Sequence, residues 1–210
     1  MNSEKRMDPL VWVVDDDEAM RSSLKWLIES VGMRVESFDS ADGFLRGHYP
    51  GRFGCLLLDV RMPGMSGLEL LDHLEKEQML PPTIIITGHG DVPMAVRAMK
   101  AGAVDFIEKP FNDEVLLDAI RRALIAEEER RMTRTQAAEI ADRMGHLTPR
   151  EYEVMLMVTD GKSNKEIANN LGVSAKTIEA HRARVMEKMQ AGSLAELVRM
   201  VIAVEQRSAR

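Results

Sequence analysis

Cysteine is almost absent: the 210 residues hold a single one, Cys55, so no disulfide can form within the chain and a reducing compartment is expected. Its place in an apolar, strand-like run makes Cys55 a small core residue rather than a nucleophile. Aromatic residues make up only 4% of the chain and are lacking in its basic C-terminal segment, which disfavours stacking on RNA or single-stranded DNA. Long apolar runs are missing too; the longest span five or six residues, and MNSEKRMDPL leads straight into VWVV without an apolar signal core. Secretion and membrane spanning are therefore not expected, and a cytoplasmic location is. The five histidines, His48, His73, His89, His146 and His181, are scattered without paired ligand spacing, so no zinc site is expected. What remains is a globular chain, 45% hydrophobic and 30% charged, long enough for two modest domains.

Charge divides the chain. Residues 1–125 carry 14 cationic against 21 acidic side chains, a net of −7, whereas residues 126–210 carry 14 against 13. Within Lys162–Met189, six basic residues face three acidic ones, a local excess that hints at a polyanionic partner.

The first half alternates strand and helix signals. Strand-like runs lie at Leu10–Val14, Met33–Phe38, Gly54–Leu58, Thr83–Ile86 and Val104–Ile107. Between them, helical stripes are expected over Glu18–Val31 (Met20, Leu24, Leu27, Ile28), in Ala41–Leu45, at Leu68, Leu71 and Leu74, and after the cap Asp91 with Val92, Ala95, Val96 and Met99 facing inward. Five strands alternating with five helices predict an α/β doubly wound parallel sheet, with a ligand site outside the carboxyl ends of the strands.

Chemistry gathers at those ends: Asp15 and Asp16 after the first strand, Asp59 after the third, Thr87 after the fourth, and Lys109, followed by Pro110, after the fifth. An ionised Asp59 at the end of a buried strand needs a cationic partner. Three carboxylates converging would repel unless a divalent cation bridged them, and hard oxygen ligands point to Mg²⁺. Mg²⁺ keeps positions open for phosphate oxygens, so Thr87 and Lys109 fit as supports of a phosphoryl group carried by Asp59. Singly these residues read as ordinary caps or surface groups; their joint placement carries the inference.

Three stretches, VVDDDEAMRSSL, LLLDVRMPGMSGLELL and ITGHGDVPMAVRAMKAGAVDFIEKPF, resemble a response-regulator receiver domain over Pro9–Ala126, the last being most similar to the FixJ-type branch. The resemblance implies that Asp59 is the phosphorylated residue, that Asp15 and Asp16 are the acidic pair, and that Arg61 offers its backbone carbonyl to the metal. It also implies Thr87, Phe106 and Lys109 as switch residues, and the phosphohistidine of a sensor histidine kinase as donor.

The second half is all-α in pattern. From Asn112, a plausible N-cap, no Gly or Pro interrupts until Gly145, so one helix can run through; its apolar stripe (Val115, Leu116, Ala119, Ile120, Ala123) fades beyond Ile125. Residues 126–145 thus read as a charged helical linker without a core of its own, between a domain at 1–125 and another at 146–210. Four short helices follow, opened by Thr148-Pro149-Arg150-Glu151, by Ser163, by Ser174 and by Ser193. Two helices joined at Gly172-Val173-Ser174 make a helix-turn-helix pattern. Along the helix after Ser174, Ile178, Val185 and Met189 share one side, while Lys176, Glu179, Ala180 and Ala183 lie on the other. A small-residue face edged by cations suits a major groove between phosphates.

LTPREYEVMLMVTDGKSNKEIANNLGVSAKTIEAHRARVMEKMQAGSLAELVRM resembles a LuxR-type DNA-binding domain along its whole length. That resemblance implies a major-groove helix from Ala175 and a last helix able to pair two copies. The candidate contacts to double-stranded promoter DNA are Lys165, Ser174, Lys176, Thr177, Glu179, Ala180, Arg182, Ala183, Arg184 and Lys188. Glu179 stands where many relatives carry a base; it either accepts from a cytosine amino group or stays clear of the DNA. The expected protein is a phosphorylation-controlled, homodimerising transcription regulator rather than an enzyme. Two other classes compete: a haloacid-dehalogenase-type phosphatase, which wants a second Asp where Arg61 stands, and a receiver joined to a protein-binding helical bundle.

Overall fold

The computed structural model describes residues 9–47, 51–88 and 90–208; His48 and His89 lie outside them. The chain forms two compact units, Met1–Glu129 and Arg130–Arg210. In the first, five parallel strands, β1 (Leu10–Val14), β2 (Arg34–Phe38), β3 (Gly54–Asp59), β4 (Thr83–Thr87) and β5 (Asp105–Glu108), lie in the order β2-β1-β3-β4-β5. Every residue of β1, β3 and β4 is buried, because helices cover both faces; that is why these strands read as unbroken apolar runs. Alternation along the strands divides the core. Trp12, Val14, Leu56, Leu58 and Ile85 pack with α2 (Ala41–Gly47), α3 (Gly67–Lys76) and α4 (Val92–Lys100). Val11, Val13, Cys55, Leu57, Ile84 and Ile86 pack with α1 (Glu18–Ser30) and the start of α5 (Asp113–Gly145). Burial pushes the Cys55 thiol up, so it stays protonated in that layer.

The structure corrects the expected inner face of α4. Val92, Val96 and Met99 are exposed, and Met94, Ala98 and Ala101 face the core instead. The apolar residues of this nine-residue helix span more than half of its circumference, opposite Pro93, Arg97 and Lys100, and the part of that arc carrying the small Ala98 is the part that meets the core. Val115, placed on an inner stripe by period, is also exposed.

α5 continues unbroken to Gly145. Its last turns enter the second unit, where Ile140 and Met144 pack against a cluster of Val154, Met155, Val158, Ile167, Ile178, Val185, Met189, Leu197 and Val201. Of residues 126–145, Ile140 and Met144 thus pack on the core of the second unit. Around that cluster stand α6 (Pro149–Thr159), α7 (Asn164–Leu171), α8 (Ala175–Met189) and α9 (Leu194–Ser208). Thr148 and Ser163 close full capping boxes with Glu151 and Glu166, and Ser174 accepts the Thr177 N–H. Gly172 takes a left-handed conformation (φ 64°, ψ 34°) that ends α7 and turns the chain into α8. Among the described residues, no helix is long and apolar enough to cross a membrane.

Candidate functional site

Parallel pairing brings the strand ends together and with them the residues singled out by sequence. Asp15 and Asp59, from adjacent strands, are buried, and Lys109 reaches both: its Nζ lies 2.7 Å from Asp15 Oδ2 and 2.9 Å from Asp59 Oδ1. Asp59 Oδ2 accepts the backbone N–H of Arg61 at 2.6 Å, and Asp15 Oδ1 accepts that of Asp17 at 2.9 Å. Thr87 is buried at the end of β4, and its carbonyl accepts the Lys109 N–H at 2.8 Å. Phe106 is partly buried against the α3 and α4 side of the sheet. Asp16 is exposed.

The electrostatics follow from burial and pairing. Burial raises the Asp59 carboxyl above its ordinary value, against the lowering effect of Lys109 and of the Arg61 N–H. Burial alone would lower Lys109, but its hydrogen bonds to Asp15 and Asp59 and their charges outweigh it, and its pKa is raised. The partner that Asp59 needs is thus Lys109. Asp15 and Asp59 share this one ammonium, and among the described residues no group of three or more Asp, Glu, His or Cys side chains stands gathered around a metal position. As a donor set, the carboxylate oxygens of Asp15 and Asp59, with Asp16 beside them in the chain, remain of the hard type that suits Mg²⁺.

Two residues that sequence did not single out for this site hold it in place. Arg21, one turn into α1, donates from Nη1 to the Asp15 carbonyl at 2.7 Å. Gly67, the first residue of α3, packs against Asp59: a Cβ built there would lie 2.0 Å from the Asp59 carbonyl oxygen.

In the second unit, Ile178, Val185 and Met189 turn inward from α8 as their spacing predicted, and Lys176, Thr177, Glu179, Ala180, Ala183 and Arg184 are exposed. Ser174 and Lys165 are exposed nearby. Two of the candidate cations are held differently. Lys188 Nζ lies 2.6 Å from Oε2 of the buried Glu151 and 3.2 Å from the His146 carbonyl, so this ammonium is drawn back into the fold instead of facing outward. Arg182 donates from Nη1 to Asn164 Oδ1 at 2.6 Å, across from α8 to the start of α7. Neither partner was visible in local spacing, since Glu151 lies 37 residues from Lys188 and Asn164 lies 18 from Arg182.

Two family models match the chain: the response regulator receiver domain over residues 11–121 and the bacterial regulatory proteins of the luxR family over residues 145–201. The transcriptional regulatory protein FixJ of Bradyrhizobium diazoefficiens is 50% identical over 193 residues, covering 91% of this chain and 94% of its own length. FixJ of Rhizobium meliloti is 49% identical, covering 93% and 96%. Among solved structures, the response regulator StyR matches with a TM-score of 0.82 at 45% identity, covering 92% of this chain and 98% of its own. Full-length FixJ from B. japonicum matches with a TM-score of 0.57 at 48% identity over 95% and 98%. With its strand-end Asp and Lys cluster and its helix-turn-helix unit in that order, the chain belongs to the two-component response regulators of the FixJ type, a receiver domain followed by a LuxR-type DNA-binding domain.

Proposed function

We propose that Asp59 accepts a phosphoryl group from the phosphohistidine of a sensor histidine kinase, and that this changes the receiver surface, pairing of the chain and binding to promoter DNA. The single observation that carries the reading is the Lys109 ammonium held between Asp15 and Asp59 at the carboxyl ends of their strands. An oxygen of Asp59 forms the new bond to phosphorus; the bond from phosphorus to the donor nitrogen breaks, its electron pair staying on the imidazole. Lys109 is placed to hold charge that develops on the phosphoryl oxygens, and the Arg61 N–H keeps Asp59 Oδ2 oriented. Mg²⁺, which would be held by Asp15, Asp16, Asp59 and the backbone carbonyl of Arg61, supplies charge neutralisation for the transferred group. Thr87 is drawn toward the new phosphoryl group, and Phe106 follows into the space it leaves, altering the face of α4 and β5.

The division of labour runs from a receiver at 1–125 through a helical linker at 126–145 to a DNA-binding domain at 146–210, acting in the cytoplasm. In that last domain α8 enters the major groove. Lys176, Thr177, Glu179, Ala180, Ala183 and Arg184 face the bases and backbone, Lys165 and Ser174 lie at the rim, and Arg182 acts from its hydrogen bond with Asn164. Incubation with a small phosphodonor and Mg²⁺ tests the chemistry: label should enter the parent, withstand acid, leave in base or hydroxylamine, and fail to enter Asp59→Asn. Label retained by Asp59→Asn removes Asp59 from this role.

A further inference from the structure

The loop between β4 and α4 makes a contact that the switch residues alone do not explain. A methyl carbon built at Gly90 would lie 2.9 Å from Phe106 Cε1, 3.1 Å from its Cζ and 3.5 Å from the Thr87 Cγ2. Carbon atoms in contact keep about 3.5–4.0 Å, so a side chain at Gly90 would displace the far end of the Phe106 ring. Gly90 also directly precedes Asp91, whose side chain accepts the Met94 N–H at 2.7 Å and caps α4. α4 in turn presents Val92, Val96 and Met99 to solvent. Ring, loop and helix cap are therefore packed in series, and a well-packed series shifts between discrete arrangements rather than bending continuously.

We infer that Gly90 is a positioning residue for the phosphorylation switch: it is the seat of the Phe106 ring, and it passes the ring's departure on to the cap of α4. A side chain at Gly90 evicts the ring from this seat and biases the receiver toward the arrangement in which Phe106 has followed Thr87. The inference rests on the phosphoacceptor reading of Asp59 and adds a residue that reading does not contain.

The test uses the full-length protein with Mg²⁺ and beryllofluoride, a tetrahedral complex that occupies a carboxylate as a phosphoryl group does. The bound fluoride signal in ¹⁹F NMR gives the half-saturating concentration for four proteins: parent, Gly90→Ala, Phe106→Ala and the double variant. Gly90→Ala should tighten binding about fivefold or more, the lower end of what overpacking does to a conformational balance. In the Phe106→Ala background the same substitution should change binding less than twofold, because no ring is left to evict. If Gly90→Ala alone fails to fold, a double variant that folds and binds like Phe106→Ala still supports the seat. Weaker or unchanged binding in Gly90→Ala, or an equal effect in both backgrounds, overturns the inference. Absence of Asp59-dependent binding in the parent overturns instead the phosphoacceptor reading, so the two failures are distinct.

Discussion

Lys188→Met removes an ammonium but keeps most of the side chain's length, and it should destabilise the C-terminal unit. Oε2 of Glu151 accepts from Lys188 Nζ at 2.6 Å and from the Thr148 N–H at 2.9 Å, in a carboxylate side chain only 3% exposed. The Lys188 hydrogen bond first, and then that of the Thr148 N–H, hold the Glu151 carboxyl down at about 2, against an ordinary 4.5. At about 1.36 kcal/mol per pKa unit that depression corresponds to an upper bound of about 3 kcal/mol. Thr148 supplies part of it and the lysine side chain is 35% exposed, so about 2 kcal/mol is assigned to Lys188. Leaving the buried carboxylate half-partnered adds to the loss, for an expected total of about 2–3 kcal/mol, below the range for fully buried pairs. Hydrogen exchange of peptides from α6 and α8 in the full chain should then speed up about 30- to 160-fold at neutral pH. The pH sign is fixed: a lowered carboxyl contributes stability above about pH 4.5 and loses it as pH falls toward 2, so the parent should weaken over that window and Lys188→Met much less. Exchange less than fivefold faster, or the same acid sensitivity in both proteins, would refute the argument.

Gly67→Ala should cost the receiver about 3 kcal/mol in urea unfolding and slow labelling of Asp59, because its methyl would meet the Asp59 carbonyl oxygen; a stability change under about 1 kcal/mol would contradict the contact. Lys176→Ala and Arg184→Ala, exposed on α8, should each weaken duplex binding and, where the contact is to phosphate, flatten the salt dependence by roughly one unit, whereas Lys188→Met should leave that slope unchanged. Equal slopes for all three would undo the assignment of the outward face. Phosphodonor should convert monomer to dimer in sedimentation, through the exposed Val92, Val96 and Met99, and Val96→Glu should prevent it; an unchanged sedimentation profile counts against pairing by this face.

The strand ends were legible because β1, β3 and β4 are buried on both faces and leave little choice to the sequence: apolar residues run until the sheet ends, and the first polar residue marks the ligand side. Capping was legible for a similar reason. Thr148, Ser163 and Ser174 act within three residues of themselves, a distance over which chain connectivity alone brings donor and acceptor together. The face of α4 was not legible, since its apolar residues span more than half of a short helix, and which part of that arc turns inward is set by the shape of its neighbours.

What sequence determined by itself was therefore the kind of chemistry and its place along the chain: carboxylates, a hydroxyl and an ammonium at the ends of successive strands, and a cation-edged helix after a turn. Only the tertiary structure decided who meets whom. Lys109 could have stood apart from a three-carboxylate cluster, but packing sets it 2.7 and 2.9 Å from two carboxylates that lie 94 and 50 residues earlier. Lys188 could have faced DNA, but Glu151, 37 residues before it, draws it inward. Charges of this kind are free to choose among several partners in an extended chain; burial removes water as the alternative, and the choice falls to whichever counter-charge the folded backbone brings within hydrogen-bond reach.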